Sequence, residues 1–134
     1  MTRDARWMIA LAALLLALAT ALGAFGAHGL RKVLEPDRLA VFETAVRYQF
    51  YHSLGLFAIG LSVMNRERRG ARIAARLIVL GMACFAGSIY ALTFGAPRAL
   101  GIVTPFGGFF LMLGWTLFAV TIYAARATPP SSSA

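Results

Sequence analysis

Apolar positions fall into four long runs separated by short polar or glycine-rich breaks, and their spacing is helical rather than alternating. From position 7 to position 27 no charge interrupts about twenty residues, enough to cross ~30 Å of hydrocarbon as a helix. A basic head, an apolar stretch and Ala19-Thr20-Ala21 together resemble a cleavable signal peptide. The run continues past that point to Ala27 and further apolar segments follow, so a retained first span is expected. Residues 30–38 read as a loop in which Pro36 ends the preceding element and Asp37 serves as N-cap of the next. Nothing then breaks helix periodicity as far as Met64, about 28 residues or ~42 Å, which is longer than one crossing needs. Its first two turns are expected in the headgroup zone, with Leu39, Phe42 and Val46 inward and Arg38, Glu43 and Arg47 partly wet.

Residues 65–76 form the most basic segment, with Arg66, Arg68, Arg69, Arg72 and Arg76 against Glu67. Residues 77–97 make an uncharged third span with Gly81, Ala83 and Gly87 as its small-residue face, ended by Gly95, Ala96 and Pro97. Thr104 and Pro105 read as N-cap and first helical residue of a fourth span that runs to about Ala125. The pattern predicts an all-α membrane protein, a four-transmembrane-helix bundle forming a single domain over 1–126, with a disordered polar tail over 127–134.

Composition agrees. Of 134 residues 60% are hydrophobic, mean hydropathy is +0.74, and soluble domains hold only ~45–50% apolar residues. The net charge of +8 does not point to nucleic acid, because the basic residues are scattered between apolar runs instead of gathered on one folded face. With four spans, Arg3, Arg6, Arg66, Arg68, Arg69, Arg72, Arg76 and Arg126 share one side and Arg31, Lys32, Arg38, Arg47 and Arg98 the other, eight against five. The positive-inside rule then places both termini in the cytoplasm. Cys84, the only cysteine, lies within an apolar run and reads as a packing residue.

This topology gathers His28, Glu43, Arg47, Tyr48, Gln49, His52, Tyr90 and Thr104 towards the outer end of the bundle, while the inner end offers mainly arginines. Glu43 and Arg47, and Tyr48 and His52, are four apart and share helix faces. Polar groups near hydrocarbon must face each other or water, so a connected network or a shallow outward vestibule is expected. The two histidines and one glutamate match no metal-ligand spacing, and a structural network is the reading preferred over a metal site or a proton path. Close packing is preferred to anion binding for Gly107 and Gly108. No nucleophile with a neighbouring base, phosphate loop or dinucleotide fingerprint is present, so neither an enzyme nor a cofactor is expected.

The segments 23–30, 47–52 and 87–90, Thr104-Pro105-Phe106-Gly107-Gly108 and Gly114-Trp115 resemble, in that order, the small YgdD-like inner-membrane family, catalogued as domain of unknown function four-two-three. The resemblance spans the first to the fourth apolar run and implies a four-helix bacterial inner-membrane protein. It carries no catalytic assignment. The expectation is a non-enzymatic bundle in the lipid bilayer whose outer-end polar network supports packing, a partner protein, another copy of itself or a small ligand. The alternative is a small transporter or channel component, oligomeric because four short helices enclose little pore.

Overall fold

A computed structural model describes residues 1–126; the tail expected at 127–134 lies outside the described residues. The described residues form four α-helices: α1 (Arg3–His28), α2 (Pro36–Ser62), α3 (Arg69–Thr93) and α4 (Val103–Arg126). Short 3₁₀ turns over Leu30–Lys32 and Arg98–Ile102 precede α2 and α4. Thr2 caps α1 by accepting the Ala5 N–H. Pro36 opens α2 instead of standing before it: Glu35 is the N-cap, and Asp37 lies in the first turn, where its charge favours the helix dipole. α3 starts eight residues before the expected span, at Arg69, so Arg72 and Arg76 sit on its first turns. At its other end Gly95 takes φ +94°, and the Ala96 N–H reaches back to the Ala91 carbonyl at 2.9 Å. Only glycine adopts that backbone at no steric cost. Thr104 does not cap α4, because the preceding 3₁₀ turn runs into the helix at Val103 and puts Thr104 and Pro105 inside the first turn.

Consecutive helices pack side by side, α1 on α2, α2 on α3 and α3 on α4. The centre holds Met8 from α1, Leu56 and Ile59 from α2 and Ile78 from α3, all fully buried, closed on the α4 side by Leu111. Glycines set the closest approaches. A Cβ on Gly26 would touch the Phe42 ring, and one on Gly60 would strike Ile9. On α3 and α4 a Cβ on Gly107 would meet the Phe85 backbone, and one on Gly81 the Leu111 amide at 2.8 Å. Backbones this near gain dispersion contacts, on which membrane helices draw when lipid removes the hydrophobic incentive. The expected small-residue face of α3 is split: Gly81 faces α4, whereas Gly87 meets nothing within 4 Å.

Among the described residues three helical segments, Arg3–Lys32, Arg69–Thr93 and Arg98–Ala125, are long and apolar enough to cross a membrane. Their outward residues, among them Leu14, Leu80, Phe106, Met112 and Val120, form an apolar exterior. α2 is as long but more polar, since Arg47, Tyr48, Gln49, Tyr51, His52 and Ser53 follow one another across its centre.

Candidate functional site

Those α2 residues determine where the polar contacts form. Gln49 is 4% exposed. Its Nε2 donates to the Leu15 carbonyl of α1 at 2.9 Å, and its Oε1 accepts the Tyr90 hydroxyl of α3 at 2.8 Å. One turn on, the Ser53 hydroxyl donates to the Gln49 carbonyl at 2.6 Å and lies 3.8 Å from Met82 Sδ. His52 faces α4, where Trp115 Nε1 donates to its Nδ1 at 2.9 Å. Tyr48 lies against His52, with ring centroids 5.8 Å apart, and stacks on Phe85 at 4.7 Å. Thus one helix bonds through side chains to each of its three neighbours.

The depth of these bonds differs from the sequence expectation. Leu15 is the thirteenth of 26 residues in α1, Gln49 the fourteenth of 27 in α2, Met82 the fourteenth of 25 in α3 and Trp115 the thirteenth of 24 in α4. The contacts therefore lie halfway along the bundle, not at its outer end. Tyr90 is near the end of α3, but a helical side chain leans towards the start of its own helix, and this one reaches back to mid-depth. Among the described residues no single outer-end network joins these side chains. Ser88 and Thr104 make a separate pair at 2.7 Å nearer that end. His28, Glu43 and Arg47 are exposed. Arg47 donates to Thr44 Oγ1 at 3.2 Å, not to Glu43, since a wet charge pair gains little.

Three participants had not been singled out as site residues: Ser53, Ser88 and Trp115. A tryptophan in the middle of an apolar run is the signal for the last, because its N–H needs an acceptor when buried. The inner end is also more than an arginine anchor. Asp4 is buried, with Oδ2 3.4 Å from Arg72 Nη1 and Oδ1 3.4 Å from Trp7 Nε1. Beside it Thr2 donates through its hydroxyl to the Val63 carbonyl at 2.8 Å and through its N–H to that of Met64 at 2.9 Å. At the opposite end Arg38 covers the last carbonyls of α3, at Leu92 and Thr93. Among the described residues, no cluster of three or more His, Cys, Asp or Glu side chains could hold a metal ion.

A family model described as protein of unknown function, DUF423, matches residues 22–108. The chain belongs to the DUF423 family. The matched stretch contains Gln49, His52, Ser88, Tyr90 and Thr104. Similar proteins include a UPF0382 membrane protein of Staphylococcus haemolyticus, 38% identical over 86% of this chain and 93% of its own length. Another, from Haemophilus influenzae, is 36% identical over 79% and 85%. The inner membrane protein YgdD of Escherichia coli is 32% identical over 86% and 88%. No solved structure matches. With its three apolar helices, this DUF423 chain is an integral membrane protein of a family whose biochemical activity is unknown.

Proposed function

We propose that the protein is a non-catalytic, four-span bundle of the bacterial inner membrane, with both termini in the cytoplasm, that holds a partner or a small apolar ligand on its flank. In this reading α2 is the fourth span. It is too polar to cross alone, and α1, α3 and α4 carry it by accepting or supplying its mid-depth hydrogen bonds. The supporting observation is Gln49, which bonds α1 and α3 at once from the centre of α2. A polar side chain at that depth is tolerated when it faces the bundle and is paired.

Transport is the second reading, favoured by the same observation, since paired polar groups at mid-depth also mark substrate pathways. Against it, among the described residues the axis of the bundle is filled by the buried apolar side chains of Met8, Leu56, Ile59 and Ile78, where a water path would need polar lining. Proteoliposomes loaded with a pH dye or a potassium reporter test the choice. The binding reading expects flux equal to that of empty vesicles. A protein-dependent flux that Gln49→Leu abolishes without unfolding the protein would overturn it.

A further inference from the structure

Between α2 and α4 a groove of about 570 Å³ opens sideways, bounded by Tyr48, His52, Phe85, Gly108, Met112 and Trp115. Small-molecule sites typically measure ~300–1,000 Å³. The walls are mostly flat rings. Tyr48 and Phe85 stack with their planes 29° apart, and Trp115 lies across Gly55, where any Cβ would collide with the indole. Gly108 widens the opening, since a Cβ there would meet nothing within 4 Å.

The bond between Trp115 and His52 fixes the chemistry of the imidazole. An indole nitrogen only donates, so His52 Nδ1 must present a bare lone pair, and the neutral ring carries its proton on Nε2. That N–H has no partner among the described residues and is not sealed from the outside. In hydrocarbon an unpaired donor costs several kcal/mol. Phospholipid headgroups and ester carbonyls lie near the membrane surface, about 15 Å from the midplane. An acceptor for His52 must therefore arrive on a molecule that itself dissolves in the bilayer. A flat ring suits the walls, because aromatic faces hold such a ring by offset stacking at ~4.5–7 Å.

We propose, resting on the reading that α2 crosses the membrane, that this groove binds the ring of a membrane-soluble quinone. His52 Nε2–H donates to a ring carbonyl oxygen, and the ring lies against Tyr48, Phe85 and Trp115. The step is binding alone, with no electron transfer.

The chain has two tryptophans, so Trp7→Phe leaves Trp115 as a fluorescent reporter within the groove. Titrating this variant in lipid nanodiscs with decylubiquinone should quench its emission saturably. Decylbenzene, a ring on the same chain without oxygens, and a mid-chain aliphatic ketone, a carbonyl without a ring, should neither quench saturably nor compete. His52→Phe should weaken quinone binding about tenfold. Gly108→Leu, which fills the groove from an unobstructed position, should abolish saturable quenching without lowering thermal stability. Quenching that never saturates, that survives Gly108→Leu, or that either control matches in competition overturns the proposal. None of those results bears on whether α2 crosses the membrane, which side-specific cysteine labelling measures separately.

Discussion

Gln49 uses both ends of its amide, so its replacement affects two helices at once. Gln49→Leu keeps the volume but leaves the Tyr90 hydroxyl without its acceptor, whereas the Leu15 carbonyl retains its place in the α1 ladder. Interhelical hydrogen bonds in membranes are worth ~0.6 kcal/mol on average and at most ~1.7. Equilibrium unfolding in mixed micelles should therefore show Gln49→Leu less stable by about 1 kcal/mol. Tyr90→Phe should add little to it, because removing both partners leaves no orphaned group. Full additivity in that double-mutant cycle would mean the two side chains are not coupled. Asp4→Ala should cost about 1–2 kcal/mol, since it unpairs Arg72 at a half-exposed site and frees Trp7 Nε1. Glu43→Gln and Arg47→Gln, both exposed, should stay within about 0.5 kcal/mol of the parent. The residue types of the polar set were readable from the sequence, but their partners were not. The i, i+4 spacing of Glu43 and Arg47 shows that they can meet, not that a wet pair gains enough to form. The Asp4–Arg72 pair spans 68 positions and has no local signal.

At the scale of elements, the sequence pattern was enough to find all four helices, because three are runs of about twenty apolar residues with few alternatives and α2 keeps helix periodicity unbroken as far as Met64. Their ends were less legible. Asp37 and Thr104 each read as an N-cap, but the helices start two residues earlier than those caps imply, at Pro36 and Val103. Packing faces were harder still, because glycine marks a possible close approach without naming the neighbour. Gly107 and Gly108 separate the two cases. A Cβ on Gly107 would run into the Phe85 backbone, which cannot move aside without parting α3 from α4, while one on Gly108 meets nothing within 4 Å. Gly107→Ala should destabilise the protein by about 2–3 kcal/mol, as overpacking against main chain does. Gly108→Ala should stabilise it by about 0.5–1 kcal/mol through helix propensity. Thermal melts of the two variants, one residue apart, should therefore move in opposite directions; a shared direction would mean that α3 and α4 do not approach at Gly107.

For the whole molecule the decisive question is how the more polar α2 sits beside three apolar neighbours. Were it to lie along the membrane surface, Gln49 could not reach the middle of α1 and the middle of His52's partner helix would be out of range, because those contacts require α2 to run alongside α1 and α4. In the proposed four-span arrangement it puts the connection holding Lys32 on one side and the connection holding Glu67 on the other, with Ala99 back beside Lys32. All three positions are exposed and none of their side chains takes part in a described hydrogen bond or ion pair, so single cysteines there, on a Cys84→Ala background, should leave the fold intact. In intact cells a membrane-impermeant maleimide should label Lys32→Cys and Ala99→Cys, and should reach Glu67→Cys only after permeabilisation. Labelling of Lys32→Cys and Glu67→Cys from the same side would show that α2 does not cross. The reverse pattern, with Glu67→Cys alone reached from outside, would keep the four crossings but invert them. Charge opposes that inversion, because it would expose outside the cell the basic segment of Arg66, Arg68, Arg69, Arg72 and Arg76, which the positive-inside rule keeps in the cytoplasm.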